Sequence, residues 1–569
     1  MNRIFWLLIG CIFFANCQHP TIKSYKNYQA DGSGFETFAL DSTSLENLEV
    51  LCKVWGFVKY HHPVFADSTI NIDYELFELL PAITHADPHT RNESLADWID
   101  GLGRFKTKKS MYDKLLADKP HRLDADINWI EDAGKLGNRL SSILETLRYA
   151  ERKDNRYLQY QDPRGAVNLE NEMGDKGYST SDCGYRMLTL FRYWNLVEYF
   201  YPYKDRMDRN WHDLLPEYIS RIVVASNSSD YKLTMSRLFV ELHDGHAFPD
   251  VYFLFGGRCI FVDTRFVEGK LIVVSSNTHP QMKKMEFRPG DEIIAIDGKK
   301  TSEIISEMRK YVSASNEAGF WEAAALYAFC SRKQEMNIRY TRNGIEHNVS
   351  YTTMPFCDQI YHFKYMHADK HCFRTINDSI GYIFVGNYNK ENDQAIRNMC
   401  DTVKTIIVDM RGYPSYDNYR FINNYLLPGK THVSTMFLPE KYLPGYFFPN
   451  EEYWGEEGVE RNHFKGRILV LVDGRTMSAG EYSTMVLQAI EGTVVIGSRT
   501  AGADGTLIQL PLAGGMVGSF SSMGVYYPNG TPTQGVGVKI DKIVEPTIEG
   551  IKAGRDEVLE RAVEIINGK

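Results

Sequence analysis

"RILVLVDGRTMSAGEYSTMVLQ", residues 467 to 488, joins an apolar run to a helical pattern. The run from Ile468 to Val472 is typical of a buried strand, and the residues after Ala479 repeat with helical spacing. Ser478 stands at the corner between the two elements. A serine there is often an ordinary helix N-cap. The same position also suits a nucleophile, because free N–H groups at a helix N-terminus stabilise a developing oxyanion.

A nucleophilic serine needs a base, and the order of residues limits the choice. The G-x-S-x-G pattern of the α/β-hydrolases is half present, since Thr476 replaces its first glycine. That fold places its histidine after the serine, whereas His463 is the last histidine of this chain. A histidine base must therefore lie upstream. "FVELHDGHAFPD", Phe239 to Asp250, offers His243 and His246. A metal-binding pair is the alternative there, but without a third ligand motif it is weak evidence for zinc.

The composition limits the class of protein. The chain has 569 residues, 43% hydrophobic and 24% charged, which is ordinary for folded multidomain proteins. A net charge of −9 argues against nucleic acid as the main partner. Seven cysteines follow residue 17 without a C-x-x-C pair, so buried thiols are a better interpretation than a disulfide framework, with a single bridge left open.

The N-terminus has the pattern of an export signal. "MNRIFWLLIGCIFFANC" has a basic start, a short apolar run and then Cys17. We interpret residues 1–16 as a lipoprotein signal peptide and Cys17 as the lipidated residue, with simple secretion after nearby cleavage as the alternative. Residues 17–40 are predicted to be a tether. These features indicate a bacterial cell-envelope protein that reaches the membrane only through its lipid anchor.

The rest of the chain divides by periodicity into three regions. Residues 41–250 have helical spacing, with the pattern W-x-x-V-x-Y-x-x-P twice, at Trp55–Pro63 and Trp194–Pro202. These are predicted to be related buried helices ended by proline, and an aromatic ligand surface is the alternative. Residues 255–355 change to short strands, including "FRPGDEIIAIDGKK" (Phe287 to Lys300). From residue 365 to 569, strands alternate with helices, as in α/β domains.

Several phrases together resemble one peptidase family. "LHDGH" (242–246), "IIVDMRG" (406–412), "TMSAGE" (476–481) and "NGTPTQGVGVKID" (529–541) occur in the order found in tail-specific, or C-terminal processing, peptidases and the tricorn core. Residues 287–300 resemble the signature of a PDZ module. The resemblance implies an α+β multidomain protein: an N-terminal helical region, a PDZ-like β module over 255–355 that binds extended peptides, and a crotonase-like α/β domain over 365–569.

The resemblance also implies the roles of residues. Ser478 matches the nucleophile, and the N–H groups of Ala479 and the Gly412 loop match the oxyanion contacts. The processing branch has a lysine base where this chain has Ala503, so the tricorn-like histidine, matched by His246, is favoured. The branch's orienting glutamate is replaced by Gln534. Gln534 is predicted to orient His246 without supplying charge.

The sequence thus predicts a secreted or lipid-anchored serine endopeptidase acting on peptides or unfolded proteins, with no metal or organic cofactor. It leaves the oligomeric state open. The rival interpretation is a catalytically weakened peptide-binding envelope protein on a peptidase scaffold, supported by Gln534 and the altered "DMRGYPSY" loop (409–416). Hydrolysis of a non-peptide ester or amide also remains open.

Overall fold

The computed structural model describes residues 23–66, 70–161, 166–172, 179–275, 285–355, 371–455 and 463–568. The predicted signal peptide and lipidation site, Cys17, lie outside these residues. Among the described helices, none has the length and apolar character needed to cross a membrane.

The first region is helical, as its periodicity predicts. Its helices are α1 (Tyr28–Asp31), α2 (Ser42–His61), α3 (Ile72–Ile83), α4 (Pro88–Gly101), α5 (Lys109–Asp118), α6 (Ala133–Arg148), α7 (Cys183–Phe200), α8 (Trp211–Val223), α9 (Ser228–Val240) and α10 (Val251–Leu254). A short antiparallel hairpin, β1 (Leu158–Gln161) and β2 (Ala166–Leu169), lies between α6 and α7.

The two W-x-x-V-x-Y-x-x-P phrases form the C-terminal halves of α2 and α7, and both helices end just before their prolines. Trp55 and Trp194 are buried in one core. The helices cross closely, since a Cβ on Gly56 would overlap the side chain of Asn195. The prediction of two buried helices is confirmed, and the surface alternative is wrong because these side chains have no exposure to offer a ligand.

The middle region is built of antiparallel strands, as its turn-rich pattern predicts. The strands are β3 (Arg258–Cys259), β4 (Asp263–Val267), β5 (Lys270–Ser275), β6 (Glu292–Ile296), β7 (Lys299–Lys300), β8 (Cys330–Ser331), β9 (Glu335–Arg342), β10 (Ile345–Thr352) and β11 (Met354–Pro355). The main sheet has the order β10-β9-β6-β5-β4, with β7 paired to β6. Two helices, α11 (Thr301–Met308) and α12 (Glu317–Tyr327), join β7 to β8.

The tight turn between β6 and β7 explains one sequence phrase. Asp297 and Gly298 have φ values of +49° and +84°. Two successive residues with positive φ suit a two-residue hairpin turn, and Asp-Gly is a favoured pair for it. The "AIDGKK" phrase therefore folds as a hairpin.

The last region is an α/β domain around a six-stranded sheet. Its strands are β12 (Phe373–Asn377), β13 (Ile380–Phe384), β14 (Thr405–Asp409), β15 (Thr431–Pro439), β16 (Phe447–Trp454), β17 (Arg467–Val472), β18 (Val494–Gly497), β19 (Leu507–Leu512), β20 (Met516–Ser521), β21 (Gly524–Tyr526) and β22 (Lys542–Ile543). Its helices are α13 (Asp393–Cys400), α14 (Tyr416–Phe421), α15 (Ala479–Gln488), α16 (Ile548–Lys552) and α17 (Glu557–Ile566).

The central sheet has the order β12-β13-β14-β17-β18-β22, parallel except for the first pair. Alternate residues of β17 enter two different cores: Val470 packs under α15, and Leu469 packs under α17. Burial of both faces explains the continuous apolar run at 468–472. The strand places Ser478 at the carboxyl edge of the parallel sheet, where ligand sites of open α/β sheets form.

The helical region and the α/β domain share one hydrophobic core. Ile508 and Leu510 of β19 and Phe520 of β20 belong to the same buried cluster as the α7 side chains. Tyr193 of α7 packs edge-on against Phe520, with ring centroids 6.1 Å apart. This contact holds the loop after α9, which carries His246, against the domain that carries Ser478.

Candidate active site

Ser478 has a strained backbone. Its φ of +52° and ψ of −118° lie outside the regions that L-residues favour, at a cost of about 1–3 kcal/mol. It occupies the N-cap position of α15, yet its side chain makes no capping hydrogen bond. The ordinary N-cap interpretation is therefore wrong. The hydroxyl makes no capping bond and lies on a sharp strand-to-helix turn, the geometry typical of a nucleophile elbow.

The turn before Ser478 is fixed by Asp473 and Thr476. The Thr476 hydroxyl donates to the Met410 carbonyl at 3.0 Å and accepts from the Asp473 N–H at 3.2 Å. Asp473 pairs with Arg475 at 2.7 Å and with Arg265 at 3.0 Å. Burial opposes ionisation of Asp473, but the two arginines hold its pKa well below its usual range. Thr476, which breaks the glycine motif, thus ties the elbow to the loop after β14.

Glu481 joins the first turn of α15 to the neighbouring segment 500–503. Its buried carboxylate accepts hydrogen bonds from the Gly502 N–H at 2.8 Å, from the Ala503 N–H at 2.9 Å and from the Thr500 hydroxyl. The Ser478 N–H in turn donates to the Ala503 carbonyl at 2.8 Å. Burial raises the pKa of Glu481 to about 7 against the effect of these donors. Glu481 and the Ser478 N–H therefore fix the elbow to segment 500–503.

His246 lies in the loop between α9 and α10, and its ring is only 2% exposed. Its Nδ1 lies 2.8 Å from the Ser521 hydroxyl at the end of β20. That hydroxyl donates to the Asp244 carboxylate at 3.1 Å. Because Ser521 gives its proton to Asp244, its oxygen is left to accept from Nδ1–H, which leaves the lone pair of the imidazole on Nε2.

Asp244 fixes this arrangement through the backbone as well. Its two carboxylate oxygens accept from the His246 N–H at 2.9 Å and from the Ser521 N–H at 2.6 Å. Burial lowers the pKa of His246, and the charge of Asp244 opposes that shift. The imidazole is therefore neutral near pH 7, the form that can accept a proton.

Ser478 and His246 line the same cavity, of about 230 Å³, together with Gly245, Ser315 and Met477. Both residues lie in the described part of the chain, and no direct hydrogen bond joins their side chains there. In enzymes without bound substrate, catalytic hydrogen bonds are often long and tighten in the complex. The cavity thus brings together the two residues that sequence reasoning paired across 232 positions of chain (478 minus 246).

Gln534 is buried near this cavity but does not hold the His246 ring. Its amide nitrogen donates to the His243 carbonyl at 3.2 Å and to the Ser315 hydroxyl at 3.1 Å. The predicted orienting contact is therefore corrected, because Ser521 occupies the Nδ1 position. Gln534 instead ties the histidine loop to the segment before α12.

The two predicted oxyanion residues are placed differently. Ala479 is the first residue of α15, with its N–H at the helix N-terminus beside Ser478. Gly412 packs against Phe384 and Gly386, and a Cβ there would lie 2.5 Å from the Phe384 ring. Its neighbours Arg411 and Tyr413 line the cavity, whereas Gly412 does not.

Ala503 and His243 do not support the two alternatives, which are a lysine base and a metal-binding histidine pair. Ala503, which stands in the lysine's place, is fully buried, and a Cβ on Gly245 would lie 3.0 Å from its methyl group. The histidine loop thus fills the space beside residue 503. His243 pairs with Asp208 at 3.2 Å and does not share a ligand position with His246. Among the described residues, no group of three potential metal ligands occurs.

Two family models match parts of the chain. The model described as "Peptidase family S41" matches residues 379–544. The matched segment includes Ser478 and Gln534. A second model, described as the N-terminal domain of Bacteroidetes S41 peptidases, matches residues 270–344. The chain is accordingly a serine-type peptidase, and its substrates are peptides or proteins. The resemblance to tail-specific and tricorn-core peptidases is confirmed, as is the mixed α+β multidomain architecture.

Two solved structures of mature CPAF have a similar fold at low sequence identity. Mature CPAF is 13% identical, and the match covers 68% of this chain and 98% of the CPAF chain, with a TM-score of 0.54. Mature CPAF complexed with lactacystin gives a TM-score of 0.51 at 13% identity, over 68% of this chain and 99% of its own. The photosystem II D1 C-terminal processing protease, 14% identical, covers 66% and 98% with a TM-score of 0.38. No curated protein sequence matches the chain.

Sequence reasoning missed three residues of the candidate site: Asp244, Ser521 and Glu481. Asp244 had a signal, since it lies two positions before His246 in "LHDGH". Glu481 also had one, at the third position of a helix that starts after a serine, where a carboxylate reaches back to the N-terminus. Ser521 lies in no motif, and only the docking of β20 on the histidine loop brings it to the ring.

Proposed function

We propose that the protein is a serine endopeptidase that cleaves peptides through Ser478 and His246 with an acyl-enzyme intermediate. The observation that carries the proposal is one cavity lined by both residues, with Ser478 on a strained elbow and His246 held by Ser521 and Asp244. An elbow of this kind stores backbone strain that ordinary helix starts do not need.

In the first half of the reaction, Nε2 of His246 takes the Ser478 proton as Oγ bonds to the peptide carbonyl carbon. The negative charge that develops on the carbonyl oxygen is stabilised by the Ala479 N–H at the N-terminus of α15. The Gly412 loop contributes through residues beside it, such as Arg411 and Tyr413, which line the cavity. His246 then passes the proton to the leaving amine, and the C–N bond breaks.

In the second half, water attacks the acyl-enzyme and gives its proton to His246. Ser478 leaves with that proton restored, and the peptide acid departs. Asp244 stabilises the imidazolium that forms in each half through the Ser521 hydroxyl, which remains a neutral bridge. Asp244 thus supplies the charge that Gln534 lacks, which weighs against a catalytically weakened scaffold.

We also propose that the sheet β10-β9-β6-β5-β4 acts as a PDZ-like module, and that the last region is crotonase-like. Edge strand β10 alternates exposed and half-buried residues, a pattern that can accept an added peptide strand. Ser313, Gly319 and Glu322 from the adjoining helical segment line the active cavity. Deleting the module would therefore destroy the site, so a point change on β10 is the sharper test.

For the module, Val349→Pro removes one backbone N–H from β10. We expect the KM of long substrates to rise more than that of short ones, with kcat for short substrates kept. Equal effects on both lengths contradict a recruiting role.

For the envelope location, the lipidation motif at Cys17 predicts a protein exported and anchored by one modified cysteine. Cys17→Ser is expected to release the protein from membranes. Unchanged membrane partitioning together with an unmodified N-terminal peptide mass contradicts this part of the proposal.

The function itself is tested by cleavage profiling of a peptide library with the wild type beside Ser478→Ala. The wild type is expected to produce defined cleavages that the variant lacks. A wild type that binds library peptides without cleaving any of them supports the peptide-binding rival. Cleavage of esters but of no peptide supports the non-peptide alternative.

A further inference from the structure

A second cavity, of about 850 Å³, opens on another side of Ser478. It shares Ser478 and Ala479 with the elbow, but His246 does not line it. The histidine must reach the leaving amine, so the leaving portion of the substrate belongs in the cavity that His246 lines. The larger cavity, which has the nucleophile and the Ala479 N–H, fits the acyl portion of the substrate.

One buried acid in this cavity, Asp504, has one oxygen without a partner among the described residues. Asp504 is 3% exposed, and one of its oxygens accepts from the Gly505 N–H at 2.7 Å. The other oxygen, Oδ2, has no hydrogen-bond partner among the described residues, and no described lysine or arginine pairs with the carboxyl. Leaving a buried polar group unsatisfied is costly, so this oxygen gains most from a polar or charged group of a bound molecule.

Among the residues that the structure describes, no cation forms an ion pair with Asp504. Burial and the nearby Glu481 carboxylate raise the pKa of Asp504 well above its usual range. Glu481 accepts its hydrogen bonds from segment 500–503. None of those donors also bonds to Asp504, which accepts from the Gly505 N–H instead. The exposed Arg420 lies on the rim of the same cavity without an ion pair to Asp504. A cation that enters from the substrate would supply the missing partner.

The wall of the cavity is aromatic. Tyr419, Trp454 and Tyr482 contact one another, with ring centroids 5.6 Å apart for Tyr419 and Trp454 and 5.8 Å for Trp454 and Tyr482. Aromatic faces attract a lysine or arginine head group and pack against its aliphatic stem. A carboxyl beside such a wall recognises a basic side chain better than an acidic or a short apolar one.

We propose that this cavity is the specificity pocket of the peptidase, and that Asp504 binds the lysine or arginine side chain whose own carbonyl Ser478 attacks. The inference rests on the proposed function of Ser478 and His246. It adds the substrate class: peptides and proteins cleaved after basic residues.

The test uses two fluorogenic peptides that differ only in arginine or citrulline before the cleaved bond. Citrulline has nearly the same shape and no charge. The wild type is expected to favour arginine in kcat/KM by about 100-fold, since removing one partner of a buried charge pair has effects of this size. Asp504→Asn is expected to reduce the arginine-to-citrulline ratio at least tenfold. Glu451→Gln, which changes a nearby exposed carboxylate that does not line the cavity, is expected to change that ratio less than threefold.

The outcomes separate the inference from the function on which it rests. Equal cleavage of both peptides by a wild type whose Ser478 reacts with a fluorophosphonate overturns the role of Asp504 and leaves the peptidase mechanism intact. Loss of both cleavage and fluorophosphonate reaction overturns the proposed function, and the pocket with it. If Asp504→Asn does not fold, the arginine-to-citrulline ratio of kcat/KM for the wild type remains the test, and a ratio near 1 overturns the inference.

Discussion

The Ser521 hydroxyl lies 2.8 Å from Nδ1 of His246 and donates to Asp244. It is thus a neutral bridge between an imidazole and a carboxylate that do not touch through their side chains. The Asp244 carboxylate also accepts from the backbone N–H groups of His246 and Ser521, so both residues are held in place. This relationship sets the tautomer of His246.

Ser521→Ala removes the bridge without changing either end. Nδ1–H then loses its acceptor, and the imidazolium formed during attack loses its link to Asp244. We expect kcat/KM to fall about 10- to 1000-fold, within the range seen for orienting groups of serine peptidases. Steady-state kinetics with one peptide substrate measures the change.

The matched control is Ser522→Ala, one residue further along. Its hydroxyl donates to the Thr506 carbonyl at 2.9 Å and does not contact His246. If Ser521→Ala and Ser522→Ala lower kcat/KM equally, the loss reflects general disturbance of this strand, and the bridging role is wrong.

The pH dependence follows from the burial of His246. Burial lowers the pKa of His246 below the ordinary 6.5, and the base must be unprotonated to accept the Ser478 proton. Activity should therefore be present above the folded pKa and be lost as the pH falls through it, so the acid limb of kcat/KM lies below pH 6.5. An acid limb above pH 7 contradicts this assignment.

Asp244→Asn sharpens the same test. The negative charge of Asp244 raises the pKa of His246, so its removal should move the acid limb to lower pH while kcat falls. A merely structural role of Asp244 would lower kcat without moving the limb. A pH–rate profile of the variant beside the wild type distinguishes the two.

The strain at Ser478 predicts a stability difference between two inactive variants. Glycine accepts a φ of +52° without a steric penalty, whereas alanine keeps the strain of a Cβ. We expect Ser478→Gly to be more stable than Ser478→Ala by about 1 kcal/mol, after allowance for the larger unfolded-state entropy of glycine. Urea unfolding measures the difference. A Ser478→Ala variant more stable than Ser478→Gly would mean that the elbow is relaxed in solution.

Gln534 stands where the resembled family has an orienting glutamate, but its contacts predict that restoring the glutamate will not help His246. Its amide nitrogen donates to the His243 carbonyl and to Ser315. Gln534→Glu replaces this donor by an acceptor that faces the carbonyl, so we expect a loss of about 1–3 kcal/mol of stability and no upward shift of the pH optimum. A gain of activity with a higher pH optimum would show that residue 534 reaches the His246 ring.

The sequence predicted the elements that depend on local patterns. The apolar run before Ser478 predicted β17 and its corner, and the two W-x-x-V-x-Y-x-x-P phrases predicted α2 and α7. Such signals come from period, turn chemistry and caps, all of which lie within a few residues of one another.

The contacts that complete the site depend on docking, which no local pattern contains. Gln534 and Ser521 are both remote from His246 in sequence, and family order favoured Gln534. The structure instead places β20 against the histidine loop, because Phe520 packs into the core of the helical region next to Tyr193. The partner of Nδ1 was therefore decided by the packing of the preceding residue, Phe520, which the sequence could not reveal.

The central claim is that Ser478 is a nucleophile activated by His246. Its most direct measurement is reaction with a fluorophosphonate, followed by peptide mass spectrometry, for the wild type, Ser478→Ala and His246→Ala. We predict one adduct on Ser478 in the wild type, none in Ser478→Ala and a rate reduced by at least 100-fold in His246→Ala, because each partner is needed for the proton transfer. A folded wild type without an adduct, or a His246→Ala variant labelled at the wild-type rate, would contradict the account.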